Sequence, residues 1–161
     1  MTRNARFRAG VAAAALAAAL FAAHRAPTVL SEPSGRFEDP DAMFHARRAA
    51  RTVAEGALLP PVLDRLENFP DGGRALWPPL HDATLALLAR LGGSTRESPA
   101  RGLPLAAALP VVELVLSVLV AAALARRTGG DAGGVAAAWL LALTPAIVRR
   151  GSFGEIDHNL T

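Results

Sequence analysis

The sequence contains no cysteine, no lysine and no tyrosine. Without cysteine the chain can form neither a disulfide framework nor a thiolate metal site, and this absence leaves the redox compartment open. All 17 basic residues are arginines, and the 14 acidic residues leave a net charge of only +3. Because the arginines are scattered rather than clustered, nucleic acid is not an expected partner. A hydrophobic content of 52% excludes a disordered linker.

Three apolar runs predict membrane-spanning helices. Residues 9–23 follow an arginine-rich leader, which suits either a first span or a secretory signal peptide. We favour an uncleaved anchor because residues 20–26 contain no small-x-small cleavage site. Residues 103–125 would extend roughly 34 Å as a helix, enough to cross a bilayer core. Residues 132–148 form a run of minimal length that contains Trp139 and Pro145.

The arginine distribution predicts the topology of these runs. Arginines precede the first run, and Arg126 and Arg127 separate the second run from the third. The positive-inside rule therefore places the N-terminus and this turn in the cytoplasm, in an inner membrane. The predicted all-α integral membrane fold has a leader and first span (1–23), a large external loop (24–102), a second span (103–125), a cytoplasmic turn (126–131), a third span (132–148) and an external tail (149–161).

Glu113 lies near the centre of the second predicted span. Carboxylates within a membrane are costly and usually face a partner helix, so this residue is a candidate functional site. A protonated glutamate that packs against a neighbouring span explains the position equally well.

The external loop carries two predicted amphipathic helices, near residues 41–58 and 79–91. In the first, Asp41, His45 and Arg48 are spaced for one helix face. A carboxylate and an imidazole one turn apart can bind a metal, and a following arginine can bind a phosphate, although an ordinary solvated face with a capping aspartate has the same pattern. In the second helix, Leu80, Leu87, Leu88 and Leu91 share a face, and Asp82 favours the helix N-terminal dipole. This helix is expected to lie along the membrane surface or to pack on the spans.

The tail, RRGSFGEIDHNLT, has polar residues crowded next to a predicted membrane exit. Asp157, His158 and Asn159 are hard or borderline ligands that suit magnesium or manganese. Spacing of this kind also arises in ordinary polar loops.

In their order along the chain, these motifs resemble the N-terminal part of the catalytic subunit family of oligosaccharyltransferases, which have a polytopic glycosyltransferase C-type fold. The resemblance rests on DPDAMFHARRA after the anchor, then NFPDGGRALWPPL, two spans and GEIDHNL. It implies transfer of a glycan from a lipid pyrophosphate to asparagine of acceptor polypeptides, with a Mg2+ or Mn2+ cofactor. The later acceptor motif of the family is absent here, so the 161-residue chain alone is expected to be inactive.

The same resemblance implies roles for individual residues. Asp41 corresponds to the metal aspartate of the first loop, and Asp157 and His158 correspond to the second metal motif, while Asn159 departs from the usual residue there. His45, Arg47 and Arg150 are candidates for substrate binding. Two alternatives stay open: another polytopic glycosyltransferase that uses a lipid-phosphate sugar, or a truncated membrane protein without catalysis.

Overall fold

The computed structural model describes residues 2–31, 37, 39–64, 71–74 and 79–156. Its helices are α1 (Arg3–Ala22), a 3-10 turn (Ala23–Arg25), α2 (Ala26–Leu30), α3 (Pro40–Ala54), α4 (Pro79–Leu91), α5 (Leu103–Ala106), α6 (Leu109–Leu143) and α7 (Pro145–Arg150). Strands β1 (Leu63–Asp64) and β2 (Gly73–Arg74) form an antiparallel pair in which Leu63 faces Arg74. The described part is therefore mostly helical, with one short hairpin that the sequence did not predict.

The chain divides into two compact units, one made of residues 1–27 and 108–161 and the other of residues 28–107. In the first unit, α1 packs along α6. Thr2 begins α1, because its side-chain oxygen accepts a hydrogen bond of 3.3 Å from the backbone of Ala5. Two helical segments are long and apolar enough to cross a membrane, by length and composition only: Arg3–Leu30 and Leu103–Leu143. These segments indicate membrane association, whereas the three predicted spans and their topology stay predictions.

The second of these segments reverses direction at Gly130, which has a positive φ of 63° and interrupts α6. Beyond this turn, Gly134 lies against Ala122, so close that a Cβ on Gly134 would approach the Ala122 carbonyl oxygen to 2.8 Å. Glycine is suited to both positions, since it tolerates the positive φ and allows two backbones to approach. Residues 109–143 therefore form a helical hairpin.

The third apolar run is not one continuous helix, contrary to the expectation from its hydropathy. Thr144 has extended backbone angles, with ψ at 110°, and α7 starts at the following proline. The ring of Pro145 disfavours a helical conformation in the residue before it, which explains the break. The second run is also divided, because α5 ends at Ala106 and α6 begins at Leu109.

Small side chains form the interior of the first unit, and large apolar ones cover its surface. The buried residues recur every three or four positions along both helices: Val11, Ala14, Ala18 and Ala22 in α1, and Leu114, Val118, Ala122, Ala138 and Ala142 in α6. Leucines such as Leu16, Leu20, Leu116 and Leu140 are exposed. Alanine-lined helix contacts with outward leucines are typical of helices packed within lipid.

Glu113 lies near the start of α6. Its Oε2 atom is buried and has no hydrogen-bond partner among the described residues. The structure thus leaves both interpretations of this residue open, a functional carboxylate or one that packs against another helix.

In the second unit, α3 packs against α4. The buried residues of α4 are His81, Asp82, Leu85, Ala86 and Ala89, whereas Leu80, Leu87 and Leu91 of the predicted leucine face are exposed. Contact of that leucine face with the membrane surface or with the spans stays a prediction. A polar network between α3 and α4, described next, determines which side of α4 faces inward.

Candidate functional site

The start of α3 presents Asp41 to solvent. Asp39 is the N-cap residue, and its Oδ1 accepts hydrogen bonds from the backbone of Asp41 at 2.8 Å and of Ala42 at 3.4 Å. The capping carboxylate is therefore Asp39 rather than Asp41. Asp41 lies in the first turn and is exposed, and its carboxylate has no ion pair with the described residues. This carboxylate is available to a ligand.

His45 and Arg48 do not share the solvated face of Asp41, because both are buried against Asp82. The Arg48 Nε donates to Asp82 Oδ2 at 2.6 Å, and the His45 Nδ1 lies 2.5 Å from Oδ1 of the same carboxylate. The Asp82 and Arg48 side chains are 0% and 2% exposed. An ionised carboxylate can only accept hydrogen bonds, so the His45 Nδ1 is the donor. These three residues form what we call the α3–α4 network.

Two aromatic contacts complete the α3–α4 network. The His45 ring meets His81 edge to face, with centroids 5.0 Å apart, and it also meets Phe44 at 5.2 Å. The guanidinium of Arg48 lies 5.3 Å from the Phe44 ring centroid. Such contacts help to offset the cost of removing a charge pair from water. Since His45, Arg48 and Asp82 must face one another to keep these contacts, the network fixes the rotation of α3 against α4.

Arg47 lies on the exposed side of α3. Its Nη2 donates to Asp64 Oδ2 at 2.8 Å, and its guanidinium lies 5.5 Å from the Phe44 ring centroid. The arginine side chain is 41% exposed, whereas Asp64 is nearly buried. Arg47 is thus held by β1 and still presents part of its guanidinium to solvent.

The second predicted motif begins within the first unit, at the end of α1. The backbone N–H of Phe153 donates to the Ala22 carbonyl at 2.9 Å, and Arg25 Nη1 donates to Glu155 Oε1 at 2.6 Å. Ile156 is fully buried. The segment that leads into the motif is therefore fixed to the C-terminal end of α1. Arg150 is exposed in the last turn of α7.

The remaining residues of that motif, Asp157, His158 and Asn159, lie outside the described residues, as do the first half of NFPDGG and the start of WPPL. Among the residues that the structure describes, no group of three or more histidine, aspartate or glutamate side chains could hold a metal ion. Asp41 fits a divalent cation as one hard carboxylate ligand, and the neighbouring Asp39 carboxylate accepts the capping hydrogen bonds of α3.

Sequence reasoning assigned Asp82 only to the helix dipole, and it predicted neither the pairing of Asp82 with Arg48 and His45 nor the Arg25–Glu155 pair. A signal for the inward position of Asp82 was present, because Asp82, Leu85 and Ala89 recur at helical spacing on one side of α4. The pairing of Arg25 with Glu155 joins residues that are far apart in the sequence, and no local pattern shows it.

Comparison with known proteins supports the resemblance at a coarse level. The chain is 33% identical over 129 residues to the dolichyl-monophosphooligosaccharide–protein glycotransferase AglB of Haloferax volcanii. That match covers 77% of this chain but 12% of the relative's length. No family model matches the chain. No solved structure matches it either. The chain is therefore distantly similar, over most of its own length, to a small part of a protein glycotransferase of the oligosaccharyltransferase class.

Proposed function

We propose that this chain is part of a membrane glycosyltransferase that moves an oligosaccharide from a lipid-phosphate carrier to asparagine of a polypeptide. The observation that carries the proposal is the 33% identity to a protein glycotransferase over 77% of the chain. The order of the motifs and two apolar segments long enough to cross a membrane support it. The activity belongs to a longer assembly of spans and domains than these 161 residues.

The donor carrier is the least constrained part of the proposal. The resemblance implies a lipid pyrophosphate, whereas the name of the relative specifies a dolichyl monophosphate. Both carriers present a phosphate oxygen next to the sugar, and arginine binds either one through its planar set of donors. Arg47 on α3 and Arg150 at the end of α7 are both exposed, and we assign phosphate binding to them.

Asp41 is the residue to which we assign metal binding, completed by Asp157, His158 and Asn159. A bound Mg2+ or Mn2+ would supply positive charge near the leaving phosphate. Asp41 itself would contribute one carboxylate oxygen from the first turn of α3, where it is exposed. The α3–α4 network holds that helix from its buried side, so His45 positions α3 in this proposal rather than touching substrate.

The test uses the complete gene product that contains this chain, purified in detergent with its native lipid-linked glycan. A fluorescent peptide with the sequence Asn-x-Thr is the acceptor, and the matched peptide with glutamine in place of asparagine is the control. We expect transfer to the asparagine peptide only. Asp41→Asn should lower turnover at least tenfold. Glu55→Gln is the control, because Glu55 is an exposed carboxylate at the C-terminal end of the same helix, and this variant should keep its turnover.

The possible results separate the alternatives. Transfer of sugar without an asparagine acceptor would assign the protein to another class of lipid-phosphate glycosyltransferase. No transfer at all, with intact folding, would favour a membrane protein without catalysis. Equal activity of the Asp41 and Glu55 variants would remove Asp41 from the metal site.

A further inference from the structure

A surface cleft lies between the first turns of α1 and the start of the second half of α6. Its volume is about 800 Å³, within the size range of small-molecule sites. Its lining combines charged residues at one end with apolar side chains at the other: Arg3, Arg6, Asp131, Phe7, Ala132, Val135 and Ala136. All of these residues belong to the first unit, and none is part of the motifs assigned above.

Two of the arginines around the cleft, Arg3 and Arg126, have partners within the first unit. Asp131 accepts hydrogen bonds of 2.7 Å from both Arg3 and Arg126. Arg126 also donates to the Asn4 side chain at 2.9 Å and lies 4.1 Å from the Phe7 ring centroid. One carboxylate thus holds two guanidinium groups in fixed positions beside the cleft.

Arg6 differs from these arginines, because its side chain lines the cleft but makes no ion pair or side-chain hydrogen bond with the described residues. This end of the unit carries five arginines (Arg3, Arg6, Arg8, Arg126 and Arg127) and one carboxylate, Asp131, which leaves a net formal charge of +4. A cleft in a region of this charge, with the Arg6 guanidinium in its lining, attracts an anion.

The other wall of the cleft is apolar. Phe7 and Val135 are half-buried, and Ala132 and Ala136 expose only methyl groups. An apolar wall gives no hydrogen bonds to an inorganic anion or a sugar phosphate, but it fits a hydrocarbon chain. The ligand that satisfies both ends therefore combines a negative phosphodiester with an acyl chain.

We propose that this cleft binds an anionic phospholipid of the bilayer, with its phosphodiester at Arg6 and an acyl chain against Phe7, Val135 and Ala136. Two features support a lipid over a soluble ligand: α1 and α6 are long and apolar enough to cross a membrane, and the leucines on their outer surfaces are exposed. Basic residues at the ends of such helices attract anionic lipid headgroups. The Asp131 carboxylate has a separate role, since it pairs with Arg3 and Arg126 and leaves Arg6 for the lipid.

Native mass spectrometry of the full chain in detergent tests this site directly. The chain is titrated with phosphatidylglycerol and, in parallel, with phosphatidylcholine of the same acyl length. We expect tighter binding of phosphatidylglycerol, and Arg6→Gln should raise its dissociation constant about fivefold. The matched control is Arg8→Gln, because Arg8 is exposed two residues later but does not line the cleft. That control should change the dissociation constant less than twofold.

A second pair of variants tests the apolar wall without changing the charge. Ala136→Leu should fill part of the cleft and weaken phosphatidylglycerol binding, while Ala123→Leu, at an exposed position of α6 outside the cleft, should not. Circular dichroism checks that all four variants keep their helices.

Three results would overturn the proposal. Equal losses in Arg6→Gln and Arg8→Gln would show diffuse electrostatic attraction rather than a site. Equal affinity for phosphatidylglycerol and phosphatidylcholine would exclude recognition of charge. Displacement of the lipid by an equal concentration of glycerol phosphate would show a site for a soluble phosphate instead.

Discussion

Removal of the Asp82 charge should destabilise the packing of α3 against α4. In Asp82→Asn the Arg48 guanidinium stays buried, 2% exposed, and loses its only counter-ion among the described residues. The Arg48 Nη1 atom is already buried without a hydrogen-bond partner there, so the site has no other acceptor to offer. Breaking a buried ion pair by removing one partner costs about 3–5 kcal/mol. We therefore expect the local stability of α3 and α4 to fall by that amount.

Hydrogen exchange of the full chain in detergent measures this loss, read by mass spectrometry on peptides from α3 and α4. Since about 1.4 kcal/mol corresponds to a factor of ten, exchange should accelerate roughly a hundredfold or more. The double variant Arg48→Met with Asp82→Leu should recover much of the protection, because apolar residues of similar volume often replace a buried ion pair without loss.

Glu55→Gln is the control for the Asp82 variant. It changes a carboxylate to an amide in the exposed pair between Arg51 and Glu55, whose side chains are 34% and 43% exposed. Such a pair contributes about 0.3–0.5 kcal/mol. The reasoning is refuted if Asp82→Asn costs less than about 1 kcal/mol, or if the double variant is less protected than the single one.

Two further predictions concern the first unit. Desolvation raises the pKa of the Asp131 carboxyl, but hydrogen bonds from two arginines outweigh it, and the pKa lies below its usual value. A lowered pKa stabilises the fold above the ordinary aspartate value of about 3.9, so protection of the 126–131 turn, measured by hydrogen exchange, should fall as the pH drops below that value. Asp131→Asn should remove this pH dependence, and a pH response that survives it would contradict the assignment. Gly134→Ala would bring a Cβ within 2.8 Å of a backbone oxygen and of the Phe7 ring, and should cost about 1–3 kcal/mol in thermal melts. Gly129→Ala, which meets nothing within 4 Å, should be nearly neutral, and equal melting temperatures for the two variants would contradict the close packing.

Helix positions in the loop were predictable because their signals are local. Proline and aspartate at the start of α3, and paired glycines after α4, determine where those helices begin and end. The face that each helix buries was less predictable. On α3 the buried residues include Ala42, Ala46 and Ala49, whereas on α4 Asp82 and His81 face inward while leucines face outward. One hydrogen-bonded ion pair outweighs hydropathy there, and its partners are 34 residues apart in the sequence.

The metal site could be predicted only in part. A single carboxylate at the start of a helix can be recognised from spacing, and the structure shows that Asp41 is exposed while Asp39 forms the cap. Whether Asp41 and Asp157 share an ion depends on how distant segments meet, which no local pattern encodes. That pairing stays a prediction.

The alanine interior of the first unit restricts where this part of the chain can perform chemistry. Alanine-lined contacts bring the α1 and α6 backbones close together, so the buried middle of this contact leaves no room for substrate or a metal ion. Apart from Glu113, the charged residues that the structure describes in this unit lie at its two ends. One end holds Arg6 and Asp131, and the other holds Arg25 and Glu155. A helix of 20 residues separates these ends by about 30 Å, the thickness of a bilayer core. Lipid recognition at one end and the glycosyl-transfer motif at the other are therefore expected to act at opposite membrane surfaces.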